Sequence, residues 1–575
     1  MVKTSSKSTA SRRNQALVQI LMVLGISVAI NIIANIYFHR FDLTGDHRFT
    51  LSPKTKTMLK DLKDQVFVKV YLEGKDLQPG FRKLSESTRD ILDEFRQIAG
   101  DKIQYQFINP DDLDKKVRDD LFKELTAKGL PPMDVEVRKD QEDVQKKILP
   151  GAIVTYNNKE FPVQLIEDQR GDMTAEQVLH NSASDLEYQL MNAIHKLQQT
   201  QQPKIAFIQG HGELKLPYVQ DIAQSLSQFY SVDFVNLPDY KVGRLDPYKA
   251  IIIAKPDSLF TPIEKYKIDQ FIMNGGKVLW LISTLNVPMD SFKYHPAIYS
   301  SDYSLGIFED MLFKYGVRIN YDLVQDLNCN FLPWYDANGG MNKIKLFKWP
   351  YYPLALPQSN NPIVNNLGAV WFQNANTIDT VSPDAEVKKT ILLQTSPYTR
   401  LMLNPVKIDH DLIRTVKRDE SLYRQGPKTL ALLMEGSFNS SFLTHKPTVD
   451  ALDPKEYGVF KGKSVPTKMI VVSDGNVIAN QVIESKQMPL PLGYDRFSDH
   501  TFSNKTFIMN CIDYMVDESG LISLRSKDIP YRPLDSGRVK EERLYWQFFN
   551  LALPLGVILL FGVVFNYIRR RRFAH

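Results

Sequence analysis

Cysteine is nearly absent: Cys329 and Cys511 are the only two in 575 residues. That excludes a disulfide-rich scaffold and a thiolate-built zinc or iron–sulfur site. One disulfide between them and two unpaired structural thiols are both open readings, because the sequence does not give their separation. Nucleotide signatures are missing too. There is no G-x-x-x-x-G-K-[ST] loop to cradle ATP phosphates and no G-x-G-x-x-G. Hydrolase signatures fare no better, with neither G-x-S-x-G nor H-E-x-x-H. Cys329 sits in Asn328-Cys329-Asn330, not between the glycines of a nucleophile elbow. A basic excess is lacking once position is considered. Lys3, Lys7, Arg12 and Arg13 precede the first apolar run, and Arg569 to Arg572 follow the last. Setting these eight aside turns the net charge of +5 into −3. Nothing in that balance points to nucleic acid.

Two long apolar runs stand out. Tyr545 to Ile568 is almost wholly apolar and stops at Arg569-Arg570-Arg571-Arg572. Such a run rises roughly 36 Å as a helix, enough to cross a hydrocarbon core of about 30 Å. Its arginines are expected to stay in the cytoplasm as residues 569–575. Ala16 to Phe38 is the second run. It is longer than the apolar part of a cleaved signal and exits into Tyr37-Phe38-His39-Arg40, so a signal anchor over 16–38 is expected. Cations in residues 1–15 put that end in the cytoplasm as well. The expectation is two spans in a bacterial inner membrane, both termini cytoplasmic, with about 500 residues in the periplasm. Ser27, Asn31 and Asn35 share one face of the first span, and Gly562 and Asn566 share one of the second. Polar and small groups on one face suit contact with another membrane helix. The plainer reading puts Asn35 at the interface and bonds the others to their own helix.

Between the runs the chain reads as α/β. Thr55 to Leu62 is helical, Val66 to Leu72 a strand, Leu84 to Ile98 an amphipathic helix and Ile103 to Ile108 a second strand. That order implies a parallel pair with a right-handed crossover and suits a thioredoxin-like layer over 42–200. No C-x-x-C accompanies it, so redox chemistry is unsupported. Asn109-Pro110-Asp111-Asp112-Leu113-Asp114 lacks the glycine and spaced glutamate of a calcium loop and reads as a capped turn. A helix over Leu186 to Leu197 runs into a Gln/Thr linker. Residues 203–534 then alternate strand and helix: Ile205–Ile208, Tyr218–Phe229, Val232–Leu237, Ala250–Ala254, Pro262–Met273 and Lys277–Ile282. Later strands are expected at Thr390–Gln394, Leu430–Glu435 and Met469–Ser473. This predicts a doubly wound sheet of amidotransferase-like or flavodoxin-like type. Residues 320–390, rich in Pro and Asn and poorly periodic, read as an elaborate insertion.

Ligands of such sheets sit beyond the carboxyl ends of the strands. Gly210-His211-Gly212-Glu213 follows the first strand and Ser473-Asp474-Gly475-Asn476 a late one. His211, Glu213 and Asp474 are therefore the candidate ligand-binding residues, with Gly210 and Gly212 shaping the loop. His and carboxylate together suit acid–base work or a metal. The competing reading is turn chemistry, with the glycines making a tight bend. No metal set, cofactor or catalytic residue is assigned.

Several blocks together carry a resemblance. They are Arg40-Phe41-Asp42-Leu43-Thr44 with Thr50-Leu51-Ser52, Leu186-Glu187-Tyr188, the Gly210–Glu213 loop and Asn274-Gly275-Gly276-Lys277. Leu432-Leu433-Met434-Glu435-Gly436, Ser473–Asn476, Asn510–Asp513 and Leu521-Ile522-Ser523-Leu524-Arg525 complete them. In that order, over nearly the whole chain, they resemble the GldG family of gliding-motility ABC transporter auxiliary proteins of the Bacteroidetes, usually labelled substrate-binding. The resemblance implies a non-catalytic role beside a separate ATPase and a polytopic permease, with envelope proteins as further partners. It supplies no ligand residues. A membrane-anchored hydrolase or transferase using the His211/Glu213 loop, or a structural envelope scaffold, are the alternatives.

Overall fold

The computed structural model describes residues 18, 21–22, 24–29, 50–74, 76–139, 142–166, 174–199, 201–239, 245–292, 294–306, 311–335, 344–381, 386–414, 420–443, 459–526 and 536–573. It divides into Met1–Asp61 and Leu62–His575. In the first unit residues 24–29 are helical. A further helix over Pro53–Lys60 starts at Ser52, whose side chain accepts from the Thr55 amide at 3.0 Å, with Pro53 at its first position. Serine then proline is the standard opening of a helix, because proline gives up an amide that would be unpaired anyway. Arg40 to Thr44, Asn31 and Asn35 lie outside the described residues.

The second unit opens with β1 (Val66–Val70), α1 (Pro79–Ala99), β2 (Ile103–Phe107), α2 (Lys115–Ala127), β3 (Gly151–Tyr156) and β4 (Lys159–Gln164). The sheet order is β2-β1-β3-β4, with β1 and β2 parallel and the other pairs antiparallel. Asn109 caps a short turn at Pro110–Asp112, accepting from the Asp111 amide, and α2 follows from Asp114. Sequence reasoning leaves residues 115–185 largely unread. They hold β3, β4 and a hairpin of Met133–Lys139 with Glu142–Ile148. They also begin α3 (Ala175–Gln198), whose Thr174 and Gln177 form a capping box.

The large sheet is built from β5 (Lys204–Gln209), β6 (Ser231–Asn236), β7 (Ala250–Ala254) and β8 (Lys277–Leu281), with helices α4 (Leu216–Ser227) and α5 (Pro262–Met273) between them. It adds β9 (Cys329–Tyr335), β10 (Ile344–Pro357), β11 (Val387–Gln394), β12 (Thr429–Gly436) and β13 (Thr467–Val472). The order is β9-β10-β11-β12-β13-β8-β7-β5-β6. From β13 to β6 every neighbour is parallel. In chain order those five strands run 2-1-3-4-5, an order of doubly wound sheets. Alternate residues supply two cores. Ile205, Phe207, Ile252 and Leu279 pack with Val219, Ile222 and Leu226 of α4 and with Phe507 and Cys511 of α6 (Asn504–Val516). Ala206, Ile208, Ile251, Ile253 and Trp280 pack with Ile268, Phe271 and Ile272 of α5. Helices on both faces explain why β7 is apolar throughout.

The described residues of 320–390 are more regular than their poor periodicity suggests. They contribute to an antiparallel wing that prolongs the sheet. β10 carries Pro350, Pro353 and Pro357, and the pairing with β9 slips between Cys329 and Phe331. Proline cannot donate to a ladder, so it is tolerated at such an irregularity. Trp349 and Tyr351, fully buried on either side of Pro350, fill a separate core with Phe292. Cys329 and Cys511 are both buried and not joined in a disulfide, and burial pushes the Cys511 thiol well up.

A buried polar cluster ties α3 to the large sheet. Arg525 Nη2 lies 3.2 Å from Asp185 Oδ2, with both side chains 3% exposed. Arg525 Nη1 also donates to Asn510 Oδ1 at 2.5 Å. Nearby, Asp513 accepts from the Tyr230 hydroxyl at 2.5 Å and from Lys196 at 3.4 Å. Three of the sequence blocks, around Leu186, Asn510 and Leu521, thus converge in space. Arg525→Ala leaves Asp185 buried without its cation and is expected to destabilise the protein by about 3–5 kcal/mol. Denaturant unfolding followed by circular dichroism checks this, with Lys123→Ala at an exposed position as the control.

Candidate functional site

The parallel strands place their following loops along one sheet edge. At β5 and β7, where the order reverses, the edge would normally open into a ligand crevice. Here the chain fills it with its own side chain. His211 is 3% exposed. Its Nδ1 lies 3.3 Å from Glu213 Oε1, and its amide donates to Glu213 Oε2 at 2.7 Å. Its Nε2 lies 3.1 Å from Glu264 Oε2, an ion-pair contact that is poorly aligned as a hydrogen bond. The ring stacks on Phe260, with centroids 3.7 Å apart and planes 11° apart.

Both glycines are required by this packing. Gly210 has φ of +119°, and a Cβ there would sit 2.6 Å from Pro238. Gly212 has φ of +74°, and its Cβ would sit 1.7 Å from Asp257 Oδ1. The His211 carbonyl accepts from the amides of Asp257 and Ser258, which follow β7. The loop is therefore sewn to its neighbour on both the main-chain and side-chain level.

Local sequence patterns around the loop do not point to Glu264, although its own signal is readable. Thr261-Pro262-Ile263-Glu264 is a capping box, with the Thr261 amide and hydroxyl donating to Glu264 at 2.7 and 2.6 Å. Burial opposes charge on Glu264, but the Thr261 hydrogen bonds and the imidazole outweigh it and hold the carboxyl below its usual value. Burial also opposes charge on His211. The two carboxylates outweigh it, so the imidazole keeps its proton above its ordinary value.

Asp474 belongs to an adjoining cluster beyond β13. It is fully buried and accepts from the amides of Gln373 at 2.5 Å and Asn476 at 2.8 Å, and from the Asn476 side chain at 3.0 Å. Burial raises it to about 6, against the pull of those hydrogen bonds. Lys255, directly after β7, donates to Asn476 Oδ1 at 2.7 Å. Lys255 has φ of +54°, a strained region for a residue with a side chain, and its amide is held by the Leu281 carbonyl. Lys255 to Ser258 therefore links the Asp474 turn to the His211 loop. Among the described residues no group of three or more His, Cys, Asp or Glu is placed to hold a metal.

The membrane candidates lie elsewhere. Ser27 is helical and exposed. Gly562 and Asn566 are exposed on α7 (Ser536–Phe573), which contains Pro554. Within it Glu541–Arg571 is long and apolar enough to cross a membrane, the one such helix among the described residues.

The raised His211 value has a signed consequence. A histidine whose folded pKa exceeds its unfolded one stabilises fully below the unfolded value, near 6.5, and loses that stabilisation as pH rises through the folded value. The melting temperature of the native protein should therefore fall more steeply as pH rises above about 6.5 than that of His211→Gln. Calorimetry at matched ionic strength reads the difference. Gly212→Ala should be destabilised at every pH, because its clash does not titrate.

Comparison with known proteins places this geometry. A family model described as an ABC-type uncharacterized transport system matches residues 202–511, and a domain of unknown function matches residues 45–155. No curated protein matches. Among solved structures, the mmIFT52 N-terminal domain is similar at 12% identity and a TM-score of 0.30, over 54% of this chain and 96% of that one. A likeness that low carries no argument. The family model spans the large sheet, the His211 loop and the Asp474 turn, and the chain belongs to this family of auxiliary proteins of ABC-type transport systems.

Proposed function

We propose that this protein is a membrane-anchored, non-catalytic subunit of an ABC transporter of the GldG type, serving gliding motility beside a separate permease and ATPase. Membership of the transport-system family carries the reading. The absence of a phosphate-cradling loop in the sequence supports it, since ATP hydrolysis then falls to a partner. The His211 loop supports it as well. Both imidazole nitrogens face carboxylates and one ring face is covered by Phe260, so the group is engaged in holding the sheet edge. A hydrolase or transferase would need that imidazole turned toward a substrate.

In this reading α7 is a membrane helix with Arg569–Arg572 on the cytoplasmic side, residues 16–38 form the other span, and the α/β region is periplasmic. The thioredoxin-like and flavodoxin-like assignments of its two sheets belong to the same proposal. Gly562 and Asn566 fit close packing of α7 against the permease.

Purification in mild detergent tests the association. The permease and the ATPase should be recovered with the native chain, and a preparation lacking both would sink the proposal. Gly562→Ile and Asn31→Leu should each reduce that recovery severalfold without changing insertion, measured by protease protection. His211→Gln, assayed at a temperature where it stays folded and assembled, should still support gliding. Loss of function in that assembled variant would restore the enzymatic alternative.

A further inference from the structure

The sheet edge that His211 closes at one end has an opening further along. A cavity of about 370 Å³ lies against the wing, between β9, β10 and the loop around Arg496. Phe292, Phe331, Trp334, Tyr352, Trp371 and Phe497 line it. Its wall at Gln373 is held by the Asp474 turn, which accepts the Gln373 amide and returns the Asn476 side chain to the Gln373 carbonyl at 3.3 Å. The cavity therefore occupies a carboxyl-end position, where doubly wound sheets place ligands.

Its chemistry narrows the occupant. Flat aromatic walls present electron-rich faces that favour weakly positive C–H groups. Asp290, Gln373, Gln481 and Arg496 add planar polar groups among them. An aliphatic or lipid ligand would leave those groups facing hydrocarbon, which is unfavourable. A phosphate or other anion is disfavoured, since among the described residues Arg496 is the one cation in the lining, against the carboxylates of Asp290 and Asp495. Asp495 is already spoken for, accepting from Asn330 at 3.1 Å, the Phe497 amide at 3.1 Å and Ser498 at 2.7 Å. The fitting ligand is neutral, offers C–H faces for stacking, and carries hydroxyls or carbonyls around its rim.

We propose that this cavity binds a neutral saccharide of one or two rings, stacked on Trp334 and Phe497. The site stands apart from the transporter association, and neither depends on the other.

The full-length protein in a zwitterionic, sugar-free detergent is titrated with maltose, cellobiose and N,N′-diacetylchitobiose. Calorimetry and tryptophan fluorescence are the readouts. Saturable binding of at least one disaccharide is expected, weakened at least tenfold by Trp334→Ala and by Phe497→Ala. If either variant loses its cooperative unfolding transition, Gln481→Ala at the half-exposed rim gives the same reading. No binding of any of the three at millimolar concentration overturns the proposal. So does binding that none of these variants weakens, or saturable binding of a proline-rich peptide with none of the sugars. Co-purification with permease and ATPase, measured on the same variants, is expected to be unchanged, so the two readings can fail separately.

Discussion

A single buried imidazole governs the carboxyl edge of the large sheet. Taking a charge out of water is costly unless it is paired and hydrogen-bonded. His211 is flanked by two carboxylates, so the cluster carries one negative charge in excess if all three groups ionise. That excess is met by polarised N–H and O–H groups: the His211 amide for Glu213, the Thr261 amide and hydroxyl for Glu264. Glu264 also lies in the first turn of α5, where the helix dipole favours an anion. One capping box, one strained loop and one aromatic ring thus form a single unit joining β5, β7 and α5. The position where related architectures hold a ligand is occupied by the protein's own structure.

The second joint is equally polar. Arg525, Asp185 and Asn510 meet where α3 reaches the large sheet, and Lys196, Tyr230 and Asp513 add to it close by. Buried ionic groups contribute less to net stability than well-packed apolar ones, but removing one partner is severe. Such a joint tolerates little variation in geometry, which suits a segment that must hold one helix in one orientation.

Legibility tracked the physics of each segment. Ala250–Ala254 and Pro262–Met273 are readable to the residue, because a fully covered parallel strand is uniformly apolar and Gly275-Gly276 marks where the helix stops. The wing was not, because Pro350 and Pro353 break the alternation by which strands are recognised, and tertiary packing of Trp349 and Tyr351 overrides them. In the site, His211 and Glu213 are close in sequence and were found together. Glu264 and Lys255 reach the same edge only through the order of the strands, which no local pattern encodes. The aromatic cavity was likewise invisible, since its rings come from residues 292 to 497.

Pro554 has a consequence for the apolar helix that carries it. Proline has no amide hydrogen, so the carbonyl of Asn550, four residues earlier, loses its helical donor. In water that oxygen would be solvated. In hydrocarbon it must find a donor on a neighbouring helix, a trapped water or a local bend. Placed in a bilayer, the segment would therefore carry a fixed hydrogen-bond acceptor that its own backbone cannot satisfy. A tether needs no such feature, whereas a helix matched to a particular neighbour can use it to set its rotation and depth.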